Sequence, residues 1–144
     1  VAVTAIGARL ERQIRERAAR AAAFAAVKME TNLKSAFQVH RKTGDTQRSI
    51  SVRRSLITPT RIEYVARVTT PQAAWVNDGT PAHIITPRNP GGVLRFQWPG
   101  APGHLVHKDG FVYLKSVNHP GYAGDGWWDN TIARWHEFLV DSLT

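Results

Sequence analysis

PQAAWVNDGTPAHII, residues 71–85, is the stretch from which the rest of the chain is read. A single apolar helical turn runs into Asp78-Gly79-Thr80-Pro81 and separates two strand-rich halves. Gly79 takes the positive φ that closes a short helix, and Pro81 keeps the helix from resuming. Ala74, Trp75 and Val76 are thereby presented at a fixed corner. Taken alone, such a corner is an ordinary helix-to-loop joint packed on a core.

Upstream, residues 3 to about 40 read as one long helix, with no internal proline and with Ile6, Leu10, Ile14, Ala18, Ala21, Ala25, Met29, Leu33 and Ala36 at steps of three and four. Glu11 with Arg15 and Glu16 with Arg20 are spaced as (i, i+4) pairs with the acid first, the better orientation. AARAAAFAA, residues 18–26, is so small-sided that another backbone can come close, as when a helix lies on a sheet or against a neighbouring subunit. With so little apolar bulk the helix must lean on something else. Thr43-Gly44-Asp45 ends it, and alternation takes over. Ile50 and Val52 oppose Ser49, Ser51 and Arg53 over Arg48 to Arg54, which predicts a half-buried strand. A second strand is predicted from Arg61 to Val68, and the two most simply form an antiparallel hairpin. The outward arginines of both strands would then merge into one basic patch.

Downstream of the corner, Thr86 to Gly92 is a Pro/Gly-rich loop. Strands are expected from Val93 to Trp98 and from Phe111 to Val117, joined by the long loop Pro99 to Gly110. Asn118 to Gly124 forms a second turn-rich joint. A final helix is expected over 125–143, with Asp125 as N-cap and Trp128, Ile132, Trp135 and Leu139 as core anchors. The order predicts a single α+β domain over 1–144. A long N-terminal helix (1–42) and a C-terminal helix pack on a small antiparallel sheet (43–117), which carries a short helix near 71–78 and long loops.

A chain of 144 residues is long enough to bury a core without staples. Cysteine is absent, which excludes disulfide scaffolds, thiol catalysis and Cys-based zinc sites. No apolar run is long enough to span a bilayer, and no signal-peptide pattern opens the sequence, so a soluble protein with no membrane partner is expected. Nineteen Lys and Arg against 11 Asp and Glu give +8, which suits a polyanionic or acidic partner. Arg9, Arg12, Arg15, Arg17 and Arg20 are equally consistent with a solvated helix face.

Catalytic constellations are sparse. His104, His107, Asp109 and His119 make a metal site at the hairpin tip conceivable, but no HExxH helix or acidic cluster accompanies them. Asn118-His119 invites comparison with ββα nucleases, and Pro120-Gly121 blocks the helix that those enzymes need. No GxSxG, P-loop or dinucleotide turn is present. The expectation is a protein that is not an enzyme, with no catalytic, cofactor or metal residues.

The segments TGDTQRSISV (43–52), AAWVNDGTPAHII (73–85) and VNHPGYAG (117–124), in that order after a long helix, resemble the gene-product-ten-like family of tailed bacteriophages. Thr43, Gly44, Arg48 and Ser49 match that family's Thr-Gly-x-Leu-x-x-Ser element. Trp75, Val76, Gly79 and Thr80 match its aromatic-Val-x-x-Gly-Thr corner, and His119, Pro120 and Gly121 its His-Pro-Gly joint. Thr46 stands where Leu is usual, and Asn77-Asp78 where a Glu often precedes the glycine. The resemblance implies a structural virion protein without cofactor or turnover. It would be a homo-oligomeric ring at the head-tail junction, around the DNA channel, meeting head-closure (stopper) and tail terminator or tail-tube proteins. A tail terminator ring is the alternative within that junction; a free basic nucleic-acid-binding protein, or a nuclease or toxin, is the alternative of another class. The implied location is the virion, with assembly in the host cytoplasm. For such a ring, the loops 86–92 and 99–110 are candidates for neighbour contacts. Arg53, Arg54, Arg61 and Arg67 are candidates for facing DNA or an acidic adjoining ring.

Overall fold

The structure, a computed structural model, describes residues 2–40 and 42–143. Val1, Arg41 and Thr144 lie outside the described residues, including the two that fall within the expected 1–42 helix. The fold is α+β, and the chain divides into two compact units. One comprises the residues up to Asp78 together with those from Gly124; the other comprises Gly79–Ala123.

The first unit is built on α1 (Ala2–Ala36), which tightens into a 3-10 turn over Phe37–His40. Its stripe is buried only in the second half. Ala21, Ala25, Met29, Leu33 and Phe37 enter the core, where they meet Ile50, Val52, Ala73, Trp127 and Phe138. Ile6, Leu10 and Ile14, on the same stripe, stay in solvent at 67%, 55% and 60% exposure. Of the two expected ion pairs, Glu11–Arg15 forms at 3.3 Å, whereas no Glu16–Arg20 bridge is made.

The strand expected from Arg48 begins later. Gly44, at φ 83, opens a short helix α2 (Asp45–Ser49), and β1 (Ser51–Ile57) follows. Ile50 and Val52 are both buried as the alternation required, but Arg48 and Ser49 belong to the helix. Five polar residues with an acid in the first turn suit a capped turn as well as a strand edge. β1 pairs antiparallel with β2 (Ile62–Arg67), as expected, with a bulge at Ser55 between the pairs Arg54↔Tyr64 and Leu56↔Glu63. α3 (Pro71–Asp78) is the predicted short helix, and Gly79 has φ 86.

The expected single C-terminal helix is a pair, α4 (Trp127–Ile132) and α5 (Trp135–Asp141). The Thr131 hydroxyl donates to the Trp127 carbonyl at 2.7 Å, a back-bond that bends helices, and the Arg134 N–H then tightens onto the Thr131 carbonyl. The Asp125 side chain accepts from the Trp127 N–H at 3.1 Å, while Gly126 holds the cap position itself. Trp127 anchors the core edge-on to Phe37, centroids 5.0 Å apart, with its indole N–H on the Ala73 carbonyl.

The second unit contains two ladders in place of part of one sheet. β4 (Leu94–Phe96) pairs with β5 (Val112–Leu114), which is the expected long hairpin. The rest of the run to Val117 changes partner: β6 (Val117–His119) pairs with β3 (His83–Ile85), a strand that the Pro-bracketed sequence does not announce. Together with β1–β2 this gives three two-stranded antiparallel ladders among the described residues. Among the described residues of this unit only Val112 is a buried hydrophobic.

Candidate functional site

The first family-like element is held by its own side chains. The Thr43 hydroxyl donates to Asp45 at 2.5 Å, Arg48 bonds both the Asp45 carboxylate and the Thr43 carbonyl, and Ser49 donates to the Thr46 carbonyl at 2.8 Å. The Thr43 hydroxyl and the Arg48 guanidinium hold the Asp45 carboxyl below its ordinary range. Thr46 is buried and receives the Thr70 hydroxyl at 2.9 Å. The two hydroxyls satisfy each other.

This element meets the second one. Thr43 and Gly44 share a cleft of about 450 Å³ with Trp75 and Val76, which Phe37 and His40 also line. Trp75 is 54% exposed at its rim, a large aromatic that the core does not use. His40 bonds Asp125 at 2.5 Å beside the cleft. Asn77 reaches across to α4. Its Oδ1 accepts the N–H groups of Trp128 and Asp129, at 2.9 and 3.4 Å, and its amide donates to the Asp129 carboxylate at 2.9 Å. α4 is therefore capped by a side chain from another helix, because Gly126 has none to offer.

In the second unit, the end of the corner meets the third element. Thr80 and Tyr122 exchange backbone hydrogen bonds of 2.7 and 2.9 Å. Gly121, at φ 86, lies so close that a Cβ there would stand 2.5 Å from the Thr80 carbonyl oxygen. His119 Nδ1 accepts the Gly121 N–H at 3.1 Å, and its ring stacks on His83 with centroids 5.0 Å apart. The Pro120-Gly121 turn and Gly79-Thr80 thus fix each other, which neither segment shows alone.

The arginines do not form one patch. Arg53 and Arg67 share the outer face of the β1–β2 ladder, Arg54 alternates to the face of Val52, and Arg61 sits in the turn. Arg53 is engaged with Glu30 at 2.9 Å and Arg61 with Glu63. Arg54 and Arg67 make no ion pair among the described residues. Glu30 is a hub that the sequence reading missed: its carboxylate also accepts Lys34 at 2.6 Å and the Val52 N–H at 2.9 Å. Partial burial works against its ionisation, but Lys34, Val52 N–H and Arg53 outweigh that, and its pKa falls below the ordinary 4.5. Its (i, i+4) spacing to Lys34 was the available signal.

At the hairpin tip, Asp109 serves structure. It accepts the Tyr113 hydroxyl at 2.6 Å and the Phe111 N–H at 3.1 Å, which hold its carboxyl below the usual range, while Arg95 covers the Phe111 ring at 3.5 Å. Among the described residues no three His, Asp or Glu side chains are grouped to hold a metal ion, and His104, His107 and His119 are not brought together. No helix among the described residues is long and apolar enough to cross a membrane. No family model matches the chain, and neither a curated protein nor a solved structure matches it.

Proposed function

We propose that the chain is a structural protein of the head-tail junction of a tailed phage. In this reading it is a ring-forming neck component that joins the DNA-filled head to the tail and meets the head-closure and tail terminator or tail-tube proteins. The observation that supports the reading is the pairing of the family-like segments. Thr43-Gly44 and Trp75-Val76 line one cleft, and Gly79-Thr80 and Gly121 lock one turn. Residues 30 or more positions apart are thus used as joined elements. Trp75 at the cleft rim and the loops at 86–92 and 99–110 are the surfaces offered to neighbouring subunits. Of the four candidate arginines, Arg54 and Arg67, which make no ion pair among the described residues, are assigned here to face DNA.

Electron microscopy of phage particles labelled with an antibody against this chain tests the reading. Label at the head-tail junction is the expected result, and its height relative to the tail tube separates a neck ring from a terminator ring. Protein found only free in the lysate, with affinity for DNA that falls steeply with salt, would replace it with the nucleic-acid-binding alternative.

A further inference from the structure

The joint between the corner and the His-Pro-Gly turn holds two histidines side by side. His83 of β3 stands opposite His119 of β6, and three residues further out Thr80 stands opposite Tyr122 in the same register. Pro81 and Pro120 occupy the interval, and neither has an N–H to give the ladder. Gly121 is pressed into this gap, where a Cβ would lie 2.8 Å from the Ala82 nitrogen and 2.9 Å from the Pro81 carbonyl carbon. Two side chains bridge what the backbone leaves open. His83 Nδ1 is 2.8 Å from the Pro81 carbonyl oxygen, and His119 Nδ1 is 3.1 Å from the Gly121 nitrogen. A carbonyl only accepts and an amide N–H only donates, so these partners fix the proton on each ring. His83 carries its proton on Nδ1 and donates it, whereas His119 has a bare Nδ1 and carries its proton on Nε2. The rings, stacked with centroids 5.0 Å apart, are thus opposite tautomers.

We propose that His119 is an acid-operated latch on this joint. A proton added to His83 goes to Nε2 and leaves the bond to the Pro81 carbonyl intact. A proton added to His119 must go to Nδ1, where it sets a donor against the Gly121 N–H and ends that bond. The closed joint therefore requires neutral His119, whereas the open joint accepts the proton, so falling pH favours opening. Histidine is the side chain that changes charge between about pH 5 and 8, which places the latch in the mildly acidic range. β3, the element packed on β6, faces His119 with His83, so protons on both rings add repulsion between stacked cations in the same direction. The segment against Gly121, Thr80 to Ala82, brings no titratable side chain. Release of Gly121 loosens the Thr80–Tyr122 bridge beside it, whose backbone bonds of 2.7 and 2.9 Å hold the same turn. None of the six residues of the β3–β6 ladder is buried, so little else keeps the joint closed. The inference lies wholly within residues 79–123 and does not rest on the neck reading.

Nuclear magnetic resonance on the full chain is the test. At about pH 7.5 the ring nitrogens are expected to report Nδ1–H on His83 and Nε2–H on His119. Between about pH 7.5 and pH 5 the protection of the Thr80 and Tyr122 amides, corrected for the intrinsic pH dependence of exchange, is expected to fall about fivefold, while that of β1 and β2 holds steady. His119→Asn separates the latch from the turn, because its amide oxygen accepts the Gly121 N–H but takes up no proton in this range. That variant is expected to keep the protection and lose the fall. His83→Phe, which keeps a ring in the stack, is expected to retain the fall. Protection at Thr80 and Tyr122 that does not change with pH in the native chain overturns the inference. So does Nδ1–H on His119 at neutral pH, a fall of equal size in His119→Asn, or a uniform loss of protection that includes β1 and β2.

Discussion

Asn77 shows how one residue sets the packing of this protein. Its side chain fills the cap position of α4 that Gly126 leaves empty, so Asn77→Ala is expected to cost about 1 kcal/mol of stability. Urea denaturation checks this, and an unchanged midpoint would show that water replaces the cap fully. Glu30 contributes to the acid sensitivity of the fold. Because its folded pKa lies below 4.5, its ionised form stabilises the fold above that value, and the contribution is lost as pH falls through the folded pKa. Stability measured between about pH 5 and pH 3 should therefore fall, and Glu30→Gln should flatten that slope. Neither role is legible along the chain. Asn77 caps a helix 50 residues away, and Glu30 meets Val52 and Arg53 only because β1 is laid against α1.

At the scale of elements, α1 is two helices in one. Leu33 is fully buried, and Leu33→Ala should cost about 2 to 5 kcal/mol. Leu10→Ala, in the uncovered half, should change stability by less than about 0.5 kcal/mol. Thermal unfolding compares the two. The three-and-four spacing is the same in both halves, so periodicity identifies the helix but not its buried half. The same limit explains α2. Alternation at Ile50 and Val52 reads correctly as burial, yet the polar residues before it carry a local hydrogen-bond network that closes a helical turn instead of extending a strand. It also explains β6, where a continuous apolar alternation divides between two partner strands.

For the whole molecule, the distribution of buried groups predicts uneven stability. The first unit buries α1, β1, α3, α4 and α5 around one cluster, whereas the described residues of 79–123 bury Val112 alone, and their ladders are three residues long. Amide hydrogen exchange should therefore run faster in β3–β6 and β4–β5 than at Met29 to Leu33 of α1, and equal protection would show that the two units open together. The sequence by itself determined the α+β class, the long first helix, the antiparallel β1–β2 and β4–β5 pairings and the corner closed by Gly79. Each of these follows from local periodicity or from the backbone freedom of a single residue. Only the tertiary structure decided that the family-like segments meet in pairs, that two of the four candidate arginines are held by Glu30 and Glu63, and that α1 keeps half its apolar row uncovered. Those outcomes depend on which distant surfaces come into contact, and spacing along one chain does not encode that.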